Sequence, residues 1–208
     1  MTFEELLKRV PPERVFRTGQ ILAGERSPAD VRRQLHRWCE RGRIVQLRRG
    51  VYMVAERGQD ERTHPFVIAN WLRSGSYVSL QSALAHYGMI PEYVPVVTSV
   101  TTGRPETLTN AIGRFQFRHV HRRLFHGFEP VRLPPGHDAF LATPEKALLD
   151  LLYLTPDSDD VNALAELRLQ LPDRVEADVF WQRMDQATKR YAVAKLDRAV
   201  NRLRRILQ

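Results

Sequence analysis

The chain has 208 residues, 43% of them hydrophobic and 27% charged, with a formal net charge of +8. Those proportions are of an ordinary globular protein with one average core or two small ones, and no apolar run approaches the roughly 20 residues of a membrane span. The single cysteine, Cys39, forms no internal disulfide, lacks a second cysteine for a zinc site, and fits a reducing cytoplasm.

The opening segment, Met1 to Arg9, is amphipathic and carries acids early, which predicts a first helix and not a secretion signal. Thr18 is expected to cap a short helix through Gln20, Ile21, Leu22 and Ala23, with Gly24-Glu25-Arg26 as a tight turn. Ser27-Pro28-Ala29-Asp30 then supplies a capping hydroxyl, a proline at the first helical position and an acid in the first turn, so a second helix should run from Pro28 to Arg41. At about 100° per residue, Val31, Leu35, Trp38 and Cys39 share one face, while Arg33, His36, Arg37 and Glu40 share the other, with Arg32 at the flank. Gly42 is the expected stop. Ile44 to Leu47 and Val51 to Val54 read as two strands joined through Arg48-Arg49-Gly50. Helix, turn, helix and basic hairpin in this order predict a winged helix-turn-helix over residues 1–57.

Charge is uneven along the chain. Residues 1–57 hold 13 Lys and Arg against 7 Asp and Glu, residues 58–185 hold 12 against 16, and residues 186–208 hold 7 against 1. A cationic face on such a module points to phosphate neutralisation on DNA. The expected contacts are Arg33, His36 and Arg37 in the major groove, Arg32 beside them on the backbone, Arg48 and Arg49 at the wing tip, and Thr18, Gln20 and Ser27 at the helix starts.

After a polar linker at 55–62, His64 to Leu72 suits a helix ending near Gly75, Tyr77-Val78 a short strand, and Ser79 the cap of a helix from Leu80 to Tyr87 that Gly88 closes. Strands are expected at Val96 to Thr101, Phe115 to Val120, Phe128 to Leu133 and Ala139 to Ala142. From Thr143, a capping residue before Pro144, the pattern turns helical, with Ala147, Leu148, Leu151, Leu152 and Leu154 as one apolar stripe. Three more helices are expected near 160–170, 177–187 and 190–207. The predicted fold is therefore α+β: an N-terminal winged helix-turn-helix, then a mixed α/β domain over residues 63–208 that ends in a helical segment.

The sequence resembles the AbiEi family of bacterial antitoxins, the transcription-repressing half of type IV toxin-antitoxin systems. The resemblance rests on Arg49-Gly50-Val51-Tyr52 closing the basic hairpin, on Tyr77 to Gly88 followed by Ile90-Pro91-Glu92, on Thr98 to Thr101, and on Pro144 to Leu152. It implies a DNA-binding repressor that autoregulates its operon, and a C-terminal domain that counteracts a toxin of the nucleotidyltransferase class. It implies double-stranded operator DNA as partner, with inverted repeats, bound by a monomer or a dimer. A solitary ligand-responsive regulator with the same fold is the alternative, and a metal-dependent nucleic-acid enzyme stands third.

Other chemistry-bearing residues fit less well with catalysis. A restriction-type nuclease needs an acid two residues before a lysine, and that offset from the four lysines gives Leu6, Pro144, Ala187 and Val193. Phosphate-binding, dinucleotide and serine-elbow motifs do not occur. No catalytic residue, metal ligand or cofactor is therefore assigned. His119 and His121 would share a strand face, but with His126 they lack a completing carboxylate or cysteine, and are expected with Arg118, Arg122 and Arg123 on a polar or partner-facing surface. Glu145, Lys146 and Asp150 read as structural, with Lys146 and Asp150 an ordinary helix ion pair. In the last helix Tyr191, Val193, Leu196, Val200, Leu203 and Ile206 form a packing stripe. Lys189, Arg190, Lys195, Arg198, Arg202 and Arg205 are left outward, either as a solvated face or as a second surface for DNA or a partner, of which Lys189, Arg190, Arg198 and Arg202 are the candidate partner residues.

Overall fold

A computed structural model describes residues 1–23, 27–55, 63–171 and 176–207. Helix α1 (Phe3–Arg9) starts with reciprocal capping: the Thr2 hydroxyl accepts from the Glu5 amide, and the Glu5 carboxylate accepts from the Thr2 amide. Strand β1 (Val15–Arg17), α2 (Thr18–Leu22), α3 (Pro28–Glu40), β2 (Ile44–Arg48) and β3 (Val51–Val54) follow. β3 is the middle strand of an antiparallel three-stranded sheet in the order β1-β3-β2. β1 was not expected, because three residues are too few to show alternation; pairing with β3 at Val15–Met53, Phe16–Tyr52 and Arg17–Val51 defines it. Leu6, Phe16, Ile21, Val31, Leu35, Trp38, Ile44 and Val54 form the core that α3 and the sheet share. The expected turn at 24–26 and the linker beyond Ala55 lie outside the described residues.

Gly42 ends α3 as expected. At φ +64° it gives its N–H to the Cys39 carbonyl, and the Arg43 amide reaches back to Trp38. Two caps differ from expectation. Thr18 is the first residue of α2 and not its cap; the Arg17 amide at that end donates to Gln20 Oε1 at 2.7 Å. The Ser27 hydroxyl donates to Asp30 Oδ2 at 2.5 Å, a side chain in place of the backbone amide.

The rest of the chain is mixed α and β around a six-stranded sheet. Its elements are α4 (Pro65–Leu72), β4 (Ser76–Val78), α5 (Leu80–His86), β5 (Val96–Thr101), β6 (Glu106–Thr109), β7 (Arg114–His119), β8 (Phe128–Leu133) and β9 (His137–Ala142). Helices α6 (Pro144–Leu154), α7 (Val161–Glu166), α8 (Ala177–Tyr191) and α9 (Ala194–Ile206) complete it. The sheet order is β6-β7-β5-β4-β9-β8, with β5–β7 and β4–β9 parallel and the other pairs antiparallel. The unexpected strand, β6, is a polar edge strand, Glu-Thr-Leu-Thr, with no apolar pattern to betray it.

Three expectations for the helices need correction. Ser79 precedes α5 without capping it, since its hydroxyl is drawn away to Asp150, and Leu80 takes φ +54° at the helix start. α6 carries no one-sided stripe: every residue from Glu145 to Leu152 is buried, because α5, α8 and α9 all pack against it. α8 continues to Tyr191, and Ala192 at φ +52° breaks it sharply from α9. Leu196, Ala199, Val200 and Leu203 of α9 are buried, whereas Ile206 turns out to solvent.

The two sheets are not separate bodies joined by a string. Val15, Leu47, Val51 and Met53, on the face of the first sheet turned away from α3, belong to the same apolar cluster as Ile68, Leu72, Tyr77 and Phe115. Among the described residues, no helix is long and apolar enough to cross a membrane.

Candidate nucleic-acid interface

The strongest candidate surface is the outer face of α3. Val31, Leu35 and Trp38 are at most 4% exposed, and Trp38 meets Phe3 edge-on at a centroid distance of 5.3 Å. With that side fixed, helical geometry turns Arg32, Arg33, His36 and Arg37 outward, and all four are exposed. Their electrostatic state is not uniform. Arg33, 71% exposed, is ion-paired with Asp30 one turn before it, and His36 lies 3.5 Å from Glu40. The Ser27 hydroxyl and then Arg33 hold the Asp30 carboxyl below its ordinary range. Arg32 and Arg37 have no ion-pair partner among the described residues, so they are the two guanidiniums on this face free to take a phosphate or a base edge.

Around α3 the expected contacts divide. Gln20 is exposed, but its amide oxygen is committed to the Arg17 amide, which leaves the NH2 group for an external partner. Thr18 is half-buried. Ser27 is exposed beside Asp30. Arg49 is exposed at the hairpin tip, where Gly50 at φ +78° lets the chain reverse.

Arg48 does not project to solvent as expected. Its guanidinium donates to the Leu72 carbonyl at 3.0 Å and to both Glu106 carboxylate oxygens at 3.3 and 3.4 Å, and Arg73 holds the same carboxylate at 3.1 Å. The partners are tertiary: Leu72 is the last residue of α4 and Glu106 the first of the edge strand β6, and the hairpin register is itself shifted between Gln46 and Arg48. Arg17 adds a second tie, donating to the Trp71 carbonyl at 2.6 Å and the Ser74 hydroxyl at 2.7 Å. Asn110 donates to the Leu47 carbonyl at 3.1 Å. These links set the angle at which α3 and the hairpin are offered.

Residues 13–55 match the family described as transcriptional regulator, AbiEi antitoxin. The AbiEi match runs from just before β1 to the end of β3, so it takes in the whole exposed face of α3 and the basic hairpin. No curated protein matches the chain.

Outside the AbiEi-matched segment, the expected partner surface is dispersed. Arg118 is half-buried and bonds the Leu154 carbonyl at 2.9 Å. β7 ends at His119, whose ring nitrogen is 3.0 Å from the Gly103 carbonyl, while His121 caps a 3-10 turn containing Arg122 and Arg123. The two histidines therefore do not share a strand. No group of three His, Cys, Asp or Glu able to hold a metal occurs among the described residues. Arg198 and Arg202 both fasten to Asp159, Arg198 at 2.7 Å through the carboxylate and Arg202 through the carbonyl. Lys195 is half-buried and reaches the Thr155 carbonyl at 2.7 Å. Lys189 and Arg190 remain exposed.

The Lys146–Asp150 pair is no ordinary surface ion pair. Asp150 is fully buried, accepting from Lys146 Nζ at 2.6 Å, Tyr191 at 2.6 Å, Tyr77 at 2.9 Å and Ser79 at 2.8 Å. Burial, then the neighbouring carboxylate, pushes both phenols far up, while burial pulls the Lys146 ammonium down. Spacing in the sequence shows the i,i+4 pair but not the strand and helix that close over it. Burial likewise raises the Cys39 thiol, in keeping with a packing role.

Proposed function

We propose that this protein is a DNA-binding transcriptional repressor and the antitoxin of a type IV toxin-antitoxin system. In this reading residues 1–57 form a winged helix-turn-helix and residues 63–208 the antitoxin domain. The observation that carries it is α3: an apolar side locked to the core and an opposite side bearing four exposed basic residues, inside the segment matched to AbiEi regulators. α3 enters the major groove, Arg37 and Arg33 address base edges, Arg32 and Arg49 the phosphates, and the Gln20 amide a backbone oxygen.

The antitoxin half of the reading is supported by the family description, and the resemblance implies a nucleotidyltransferase toxin as functional counterpart. Titrating purified full-length protein into its own promoter fragment and into a scrambled duplex at two salt concentrations tests the first half. Specific binding that Arg37→Ala weakens supports it, and equal affinity for both duplexes refutes it. Co-expression with the neighbouring gene tests the second half: growth rescue is expected, and persistent toxicity despite soluble protein contradicts it.

A further inference from the structure

A cleft of about 360 Å³ opens between the Gly127–Glu129 end of β8, the first turn of α6 and the last turns of α8. At its side sits Glu145, whose side chain is only 6% exposed and whose Oε1 has no hydrogen-bond partner among the described residues. The position in the first turn of α6 favours a negative charge, but a buried carboxylate oxygen without a donor is costly. Lys146, the adjacent cation, does not relieve it, because its ammonium is spent on Asp150 and Tyr191. Its methylenes line the cleft instead, so close to Gly127 that a Cβ there would meet Lys146 Cγ at 3.2 Å. The nearest cation is Arg183 of α8, 61% exposed, with Nη1 4.0 Å from Glu145 Oε1, too far for a hydrogen bond.

Arg183, Gln186, Ala187 and Arg190 follow one another at i, i+3, i+4 and i+7, so they share one face of α8, with the small alanine leaving room between the two guanidiniums. Arg190 has no ion-pair partner among the described residues. Two arginines thus face Glu145 and the exposed Glu129 across one cavity. A simple anion would meet the two carboxylates, and a simple cation the two guanidiniums. A ligand with both charges satisfies both sides.

We propose that this cleft binds a small amino-carboxylate zwitterion of the free amino-acid class. The ligand's ammonium takes the place of Arg183 on Glu145, and Arg183 swings outward to hold, with Arg190, the ligand's carboxylate. The cavity size is that of a small-molecule site, and the site would make the protein responsive to a metabolite.

The test is calorimetry and thermal shift on the purified full chain without DNA, using the twenty standard L-amino acids one at a time at millimolar concentration. Because no DNA is present, the outcome is independent of the regulatory reading. At least one amino acid should bind, and its N-acetyl and its carboxamide derivatives should each bind on the order of tenfold or more weakly, since each loses one charged hydrogen bond. Glu145→Gln should produce a similar loss. Arg183→Ala and Arg190→Ala, at exposed positions where folding is not at stake, should do the same. Absence of binding by all twenty, or binding that survives either derivatisation or Arg183→Ala, overturns the proposal.

Discussion

Replacing Arg48 by alanine should destabilise the protein while leaving the proposed DNA binding intact, and replacing Arg49 should do the reverse. Arg48 is 31% exposed and gives one hydrogen bond to the Leu72 carbonyl at 3.0 Å and two longer ones to Glu106. A net hydrogen bond contributes about 1 kcal/mol and a partly exposed ion pair about 0.2 to 1 kcal/mol. Glu106 is not orphaned by the change, because Arg73 still holds it at 3.1 Å. The loss should therefore be about 1 to 2 kcal/mol, or a fall of roughly 2 to 8 °C in melting temperature for a chain of this size. Arg49→Ala removes an exposed cation with no structural partner among the described residues, so melting should barely change. If Arg49 neutralises one phosphate, the slope of log affinity against log salt should fall by about 0.9. The assays are calorimetric melting and anisotropy titrations of a promoter duplex at several salt concentrations. A flattened salt slope with unchanged melting for Arg48→Ala would show that Arg48 lies on DNA and that its docking onto Glu106 is misassigned.

Further outcomes follow from the same geometry. Arg37→Ala should cost about 1 to 3 kcal/mol of operator binding if it makes a bidentate guanine contact, while Arg33→Ala should cost less, because Arg33 must first leave Asp30; equal losses in a competition titration would contradict that ordering. Asp150→Ala leaves the Lys146 ammonium buried and uncompensated and should cost about 3 to 5 kcal/mol in chemical denaturation; a loss under about 1 kcal/mol would mean the network is open to water. Alkaline titration should also destabilise the fold. Tyr77 and Tyr191 have raised native pKa values, so above pH 10 the native state keeps protons that the unfolded chain releases, and stability should drop by about 1.4 kcal/mol per pH unit for each phenol. Lys146 acts in the opposite direction up to its unfolded value of 10.5, since its native pKa is lowered. Denaturation midpoints that stay flat from pH 10 to 11, or a Tyr191→Phe variant with the same pH slope, would count against this account.

Much of the amino-terminal architecture was legible from local chemistry alone. Pro28 and Asp30 mark the start of α3 and Gly42 its end, because capping and left-handed backbone are satisfied within a few residues. The 3.6-residue period sorts Val31, Leu35 and Trp38 from Arg32, Arg33 and Arg37 for the same local reason. Tertiary packing decided the rest. β1 and β6 are strands because of their partners, with too little pattern of their own. Whether a cation serves solvent or structure depends on which carboxylate or carbonyl the fold brings near: Arg48 met Glu106, 58 residues away, and Arg198 met Asp159. Lys146 and Asp150 adjoin on any helix, but only the closure of Tyr77, Ser79 and Tyr191 around them makes a surface motif into a buried one. Periodicity in a sequence reports the direction a side chain leaves its own backbone, and only the folded chain determines what it meets there.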